Sequence, residues 1–498
     1  MSISFLQTIF KRLQTGGLQT ACVIEDTEIS YSSLSAMTGA VQAKIQRTGS
    51  MRIGIITQNT AETYATIIAA WLTGKAYIPI PAHYPLDRIA EIISSAEISA
   101  IFYATEDPEV ERLTSHFTKI IFTNTSDLPP ADCFYSFPAE DKEAYLLFTS
   151  GTTGKPKGVP VTFGNIQAFM DGFDALGYQV HEDDRFLQMF ELTFDLSVVC
   201  FTLPLICGGS FHTLPSGMIK TLALYHVLEE NRITFSLMVP SAIGLLLPYL
   251  DDIHLPELRV SQFCGEALKK DLLEKWMVCV PNARIDNVYG PTEATIYCSA
   301  LTCASGKIPN QSGVVGIGKP MQESLFMLLD EHGNEITDTK MEGELCLGGM
   351  QLTPGYLNNP EQNGQKFFHH HGIRYYRTGD IAYRDRSGNY FYIGRKDDQV
   401  KIQGYRIELG ELEVASARIL PQNPAVAVGY QVSNNWYLAL FVLQAGLAEQ
   451  KIKEALRPLL PQYMQPHRVF AIDEIPLNAN GKTDRKALRI QAERQHAS

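Results

Sequence analysis

Short apolar runs rich in β-branched and aromatic residues recur along the first part of the chain: MRIGIIT from Met51, AYIPI from Ala76, SAIFYA from Ser99 and KIIFT from Lys119. They alternate with helix-like stretches such as AETYATIIAAWLTG. This alternation is the strongest constraint on the fold, because strands separated by helical segments are joined by crossovers, and crossovers build parallel sheets covered by helices. The rhythm returns between Arg232 and Asn287 in RITFSLMVP, ELRVSQFCG and ARIDNVYG, each ending in Gly or Pro. In open α/β sheets ligands bind beyond the carboxyl ends of strands, so those ends are candidate site positions.

From Gly313 to Arg395 the texture changes to short strands and turns, as in GELCLGG, YRTGD and RSGNYFYIG, which indicates a β-rich subdomain. A new unit follows: polar KDDQVKIQG, helix-like ELGELEVASARI, the strand AVAVGY and the helix KIKEALRPLL. The expected class is therefore α/β, with a large N-terminal domain of parallel-rich sheets plus the β-rich subdomain over 1–395 and a small α+β domain over 396–498. The polar segment around Asp397 and Asp398 is the expected hinge. A chain of 498 residues exceeds the roughly 250–300 at which one core stops growing, which agrees with two domains.

Charge and cysteine usage exclude several classes. A formal net charge of -12 argues against non-specific binding to nucleic acid or anionic membranes. The 9 cysteines include no CxxC pair, so neither a zinc cage nor a disulfide framework is suggested, and reduced thiols in a cytoplasmic compartment fit best. The opening MSISFLQTIFKRLQTGG carries its charges after its apolar residues and lacks a small-residue cleavage site, so it reads as a first helix rather than a secretory signal. Longer apolar runs are interrupted, as by Pro204 in VVCFTLPLICGG, and none reaches the ~20 residues that span a bilayer.

The strongest local signal is Leu146-Leu147-Phe148 running into Thr149-Ser150-Gly151-Thr152-Thr153-Gly154-Lys155-Pro156-Lys157-Gly158. Glycines allow close backbone approach, hydroxyls and amides donate to phosphate oxygens, and lysines neutralise charge. It is not a Walker loop, because Pro156 follows Gly154-Lys155 where a Ser or Thr is required. Taken alone, such a loop is as readily a mobile surface loop. The same chain, however, carries Asn287-Val288-Tyr289-Gly290-Pro291-Thr292-Glu293, Tyr376-Arg377-Thr378-Gly379-Asp380, Gly394-Arg395-Lys396-Asp397 and Asn480-Gly481-Lys482 in that order.

With these motifs the chain resembles the adenylate-forming superfamily of acyl-CoA synthetases, luciferases and nonribosomal peptide synthetase adenylation domains. The resemblance covers nearly the whole chain. It is nearest to amino-acid-activating members, through WLTGKAYIPIP, AYLLFTSGTTGKPKG, FDLS, NVYGPTE, GELCLGG, PGYL, YRTGD, GRKDDQVKIQGYRIELGELE, LPQYMQP and NGKTDR. It implies ATP as the nucleotide, a loop from Thr149 to Lys157 around its phosphates, and Glu293, beside Thr292, as the Mg²⁺ ligand. Asp380 is expected at the ribose hydroxyls and Tyr289 stacked on adenine. Asn287, Gly290, Tyr392 and Gly265-Glu266-Ala267 would line the nucleotide, and Arg395 would reach the ribose or phosphate. Lys482 is the expected catalytic cation, bridging the substrate carboxylate and the α-phosphate as charge builds. The resemblance also implies that the small domain turns about Asp397, withdrawing Lys482 and bringing the Lys401 to Gly404 segment forward.

Asp195, in FDLS, discriminates among carboxylates. In amino-acid-activating relatives the matching Asp pairs with the substrate ammonium; the alternative is an N-cap for a helix beginning near Leu196. By the same resemblance Leu196, Val199, Leu237, Gln262, Cys264, Val288, Ile296 and Tyr297 face the side chain. This lining is mostly apolar and uncharged, so it suits a neutral, small to medium side chain. Gln262-Phe263-Cys264-Gly265-Glu266 is similar to free-standing D-alanine:carrier-protein ligases, which makes D-alanine a candidate and leaves L-proline, L-valine and L-alanine open. Gly208-Gly209-Ser210, after an apolar run read as a buried strand, is a turn rather than a pantetheine attachment site. Since little chain follows NGKTDR, acyl transfer is expected in trans to a separate phosphopantetheinyl carrier protein. Two alternatives stand: an acyl- or aryl-CoA synthetase, and a non-catalytic nucleotide-binding relative.

Overall fold

A computed structural model describes all residues except 1–3, 137, 152–154, 433–434, 444–445, 447, 478–482 and 497–498. The chain divides into two compact units: Met1–Ala82, Ser95–Leu147 and Gly158–Lys396 form one, and His83–Ser94, Phe148–Lys157 and Asp397–Ser498 the other. Among the described residues no helix is long and apolar enough to cross a membrane.

The alternating runs of the sequence become strands of two sheets. Arg52–Ile56, Ala76–Ile80, Ala100–Tyr103 and Ile121–Asn124 lie in a six-stranded sheet, paired in parallel, with Glu143–Thr149 and Lys157–Thr162 completing it. The helix Ala61–Leu72 crosses between the first two, its N-terminus capped by the Thr60 hydroxyl. Trp71 at its far end donates to the Ala144 carbonyl at 2.8 Å, tying it to the sheet. Phe235–Met238, Val260–Phe263 and Arg284–Tyr289 are parallel neighbours in a nine-stranded sheet, in register at Leu237, Gln262 and Asp286. Their carboxyl ends therefore stand side by side.

The helix Leu196–Cys207 corrects one reading. The apolar, β-branched composition before Gly208 reads as a buried strand, but the chain there forms twelve residues of helix with Pro204 inside. The helix stops where Gly208 turns left-handed at φ 90°, and Ser210 then opens the strand Ser210–Thr213. A helix buried on all faces lacks the polar stripe by which periodicity reveals one.

Between Ser324 and Arg395 the large unit carries a five-stranded antiparallel sheet, with Ile373–Arg384 paired to Gly343–Gly349, Phe367–His370 and Tyr390–Arg395. The small unit holds the hairpin Gln399–Ile402 and Tyr405–Glu408 and the three-stranded sheet Ala425–Val432, Asn435–Leu443 and Arg468–Ile472. Its helices include Leu409–Ile419 and Arg485–His496. Its core gathers Ile407, Leu412, Leu438, Leu440, Leu456 and Met464.

Candidate functional site

Asp195 is the last residue before the helix Leu196–Cys207 and has helical dihedrals of φ -64° and ψ -25°, yet its side chain makes no capping bond to that helix. Asp195 therefore does not act as a standard cap, whose backbone is extended and whose side chain bonds the amide two or three residues on. Asp195 is 7% exposed, and its Oδ2 has no hydrogen-bond partner. Burial pushes its carboxyl up to about 6, while the Thr292 hydroxyl and the backbone N–H of Ile296 and Leu196 pull the other way and the negative Glu293 adds to the rise.

Leu196, Val199, Leu237, Cys264, Val288, Ile296 and Tyr297 all belong to the large hydrophobic cluster that forms the core of this unit. Gln262 is also fully buried, and its Oε1 accepts from the Tyr297 hydroxyl at 3.2 Å. The Tyr297 ring packs edge-on against Phe169 with centroids 4.9 Å apart, so the wall it forms is fixed. None of these eight side chains is charged.

Glu293 is completely buried and lies just beyond the strand Arg284–Tyr289. Its Oε1 accepts from the Tyr356 hydroxyl at 2.6 Å and from the Tyr376 hydroxyl at 2.9 Å. The turn after it is strained: Thr295 and Ile296 have φ of 54° and 69°, a region that β-branched residues rarely enter. Gln351 holds that turn, its Nε2 donating to the carbonyls of Ala294, Thr295 and Tyr297 at 3.2, 3.1 and 2.8 Å. Gly290 permits the close packing, since a Cβ there would sit 2.4 Å from the Tyr297 Cα. Tyr356, Tyr376 and Gln351 escape the sequence reading, although the first two lie inside the motifs PGYL and YRTGD. Hydrogen bonds to a buried charge contribute about 1.5–3 kcal/mol each. Tyr376→Phe is therefore expected to lower unfolding free energy at neutral pH by about that amount, and an unchanged denaturation midpoint would show that the hydroxyl contributes nothing.

Asp380 lies within the strand Ile373–Arg384 rather than on the turn that YRTGD suggests; Gly379 before it takes φ 76° without breaking the strand, and Asp380 is 4% exposed. Its Oδ2 accepts from the Tyr289 hydroxyl at 2.5 Å and its Oδ1 from Arg395 Nη1 at 2.6 Å. Tyr289, Asp380 and Arg395 thus form one cluster, and each carboxylate oxygen keeps a further lone pair for a ligand. Tyr392 packs against the hydrophobic group that contains Tyr289. Asn287 donates through Nδ2 to the Gly316 carbonyl at 2.9 Å, a structural use of its amide. Gly265 has φ 90°, and Glu266 accepts from the Ser241 amide at 2.8 Å while Ala267 is exposed.

The loop from Thr149 to Lys157 belongs to the smaller unit. Ser150 donates to the Arg406 carbonyl at 2.7 Å and accepts from the Glu408 amide at 3.2 Å. Lys157 pairs with Glu408 at 3.6 Å, and the Gly151 amide donates to Glu411 at 3.3 Å. Arg88 pairs with Glu411, both nearly fully buried. Asp398 pairs with Arg485 at 2.9 Å, and the Asp397 carboxylate lies 3.4 Å from the Gln399 amide. Thr152, Thr153, Gly154 and Lys482 lie outside the described residues.

Comparison with known proteins gives the family. The model of the AMP-binding enzyme family matches residues 10–357. The D-alanine--D-alanyl carrier protein ligase of Bacillus licheniformis is 30% identical over 504 residues, covering 98% of this chain and 99% of that protein. Tyrocidine synthase 1 of Brevibacillus parabrevis is 30% identical over 485 residues, and the match covers 94% of this chain but only 43% of that longer protein. The chain thus spans less than half the length of that synthase. Among solved structures, the Vibrio cholerae adenylation domain AlmE in complex with glycyl-adenosine-5'-phosphate superposes with a TM-score of 0.88 at 26% identity, covering 99% of this chain and 98% of that one.

Proposed function

Because the chain belongs to the AMP-binding enzyme family, we propose that it activates an amino acid with ATP as the aminoacyl-adenylate and passes the acyl group to the phosphopantetheine thiol of a separate carrier protein. The observation that carries this reading is Asp195, a buried carboxylate whose Oδ2 has no hydrogen-bond partner and which adjoins Leu196 of the large apolar cluster. A buried charge is costly unless paired. An α-ammonium supplies the missing cation and donor, whereas a fatty or aryl acid supplies neither. The uncharged lining favours a neutral, small to medium side chain, and the carrier transfer is supported by similarity to a carrier protein ligase.

In this mechanism Asp195 anchors the ammonium and the pocket orients the side chain, leaving the substrate carboxylate to attack the α-phosphorus in line with departing pyrophosphate. Asp380, oriented by Tyr289 and Arg395, accepts from the ribose. The loop from Thr149 to Lys157 holds the outer phosphates, and Lys482 neutralises charge on the α-phosphate. Glu293 suits Mg²⁺, since one oriented buried carboxylate is what this ion takes alongside phosphates and waters. When bound, Mg²⁺ offsets charge on the nucleotide phosphates. The domain assignment 1–395 and 396–498, with Asp397 as hinge, is part of the same proposal.

ATP–pyrophosphate exchange with single amino acids of both configurations, set against single fatty and aryl acids, tests the reading. Exchange is expected with one or a few neutral amino acids, and exchange only with fatty or aryl acids overturns it.

A further inference from the structure

Both ends of the Gln351 side-chain amide are bound, and the side chain is 1% exposed. Nε2 donates to the carbonyls of Ala294, Thr295 and Tyr297, and Oε1 accepts from the Ser324 hydroxyl at 2.8 Å. The Gln351 backbone carbonyl accepts from the Thr295 hydroxyl at 2.6 Å. Two residues on, the Thr353 amide donates to the Glu293 carbonyl at 2.9 Å. The segment 351–353 is therefore bonded to the turn 293–297 at both of its ends.

Glutamine is a demanding residue to bury, because each polar atom of its amide must be paired, whereas methionine fills a similar space with no such requirement. What the amide adds is direction. Thr295 and Ile296 sit at φ 54° and 69°, where β-branched residues are strained, and such a conformation persists only where the surroundings over-determine it. One nitrogen converging on three carbonyls of the same turn supplies that constraint. The turn so held carries Ile296 and Tyr297, both fully buried. The Tyr297 hydroxyl donates to Gln262 Oε1 at 3.2 Å and its ring stands edge-on to Phe169, so a shift of the turn shifts these contacts with it.

We propose that Gln351 is a positioning residue for substrate selection: by holding Thr295 and Ile296 in the left-handed region it sets where Ile296 and Tyr297 stand, and so determines, without itself facing the substrate, which neutral side chain fits. The identities of the lining residues do not decide this alone, because the same side chains on a relaxed turn enclose a different space. The inference rests on the proposed function, since Ile296 and Tyr297 face an amino acid only in that reading. Glu293, at the start of the turn, is held separately by Tyr356 and Tyr376, so the effect of Gln351 falls on the amino acid and not on the nucleotide.

Gln351→Met keeps the length of the side chain and removes its donor. In pyrophosphate exchange the KM of this variant for the preferred amino acid is expected to rise about tenfold with kcat and the KM for ATP unchanged, the signature of binding lost equally in the ground and transition states. Preference over an analogue one methylene different, on the order of 10–200-fold in an apolar pocket, should fall about tenfold. A variant that is less stable but keeps the wild-type KM and preference makes Gln351 a structural residue only and overturns the proposal. A second arm measures urea midpoints, without substrate, for Gln351→Met, Thr295→Gly and the double variant. Glycine takes positive φ without strain, so the double variant should lose less than the two single losses together, and additive losses overturn the proposal. Should the wild type exchange with no amino acid, the proposed function fails and this inference with it, whereas normal wild-type exchange that Gln351→Met leaves unchanged overturns the inference alone. If Gln351→Met does not fold, Gln351→Asn, whose amide stops one methylene short of the carbonyls, carries both arms.

Discussion

Asp195→Ala is expected to lower kcat/KM for amino-acid-dependent ATP–pyrophosphate exchange by at least ~10²-fold, since removing one partner of a buried ion pair costs about 3–5 kcal/mol and each 1.36 kcal/mol is a factor of ten. The companion Asp195→Asn makes the same loss with a gain attached. Burial raises the Asp195 carboxyl from 3.8 to about 6. The folded protein therefore holds this proton more tightly than the unfolded chain, and the native state binds more protons across that interval. The stability contributed is present in full below the unfolded value and is lost as pH rises through about 6. A displacement of about two pH units corresponds to about 3 kcal/mol. The amide of Asp195→Asn carries no charge to bury, so this variant without substrate should be more stable than wild type by about 3 kcal/mol at pH 7.5 and equally stable at about pH 3.5. Urea denaturation at the two pH values measures this, and a variant no more stable at the higher pH would sink the idea that Asp195 is held for function at a cost in stability. Wild-type amino-acid affinity should likewise weaken as pH falls below about 6.

What the sequence discloses of the fold, and what it does not disclose around the candidate residues, is a matter of range. The strands and their carboxyl ends could be read because apolar runs ending in Gly or Pro carry their own local signal, whereas Leu237, Gln262 and Val288 come from the family resemblance. Tyr356 and Tyr376 reach Glu293 across 63 and 83 residues, a separation no periodicity encodes. The strain at Thr295 and Ile296 runs against their own preferences and is imposed by Gln351, 56 residues beyond Thr295. The grouping of His83–Ser94 and Phe148–Lys157 with the small unit depends on pairs such as Arg88 with Glu411, separated by 323 residues. Local sequence thus carries the strands and the motifs, and long-range packing decides what surrounds the candidate residues.

Lys482→Ala is expected to reduce the adenylation half-reaction by ~10²-fold or more, the loss typical when an electrostatic donor to a developing charge is removed. The charge inventory of the large unit makes the case. Its proposed site residues include three buried carboxylates, Asp195, Glu293 and Asp380, and one cation, Arg395, which is committed to Asp380 at 2.6 Å. Such a set can bind an ammonium, a metal ion and a ribose, but it leaves the α-phosphate without a positive partner where charge accumulates. A long ammonium from elsewhere in the chain meets that need, and the surrounding NGKTDR marks Lys482 as its source. Arginine should not restore the rate, because a planar fork cannot bridge two oxyanions as a compact point charge does. Transfer from preformed aminoacyl-adenylate to a pantetheine thiol should survive, since that step no longer involves departing pyrophosphate. Single-turnover adenylation and thioester formation measured separately decide the matter: near wild-type adenylation in Lys482→Ala removes the lysine from the reaction.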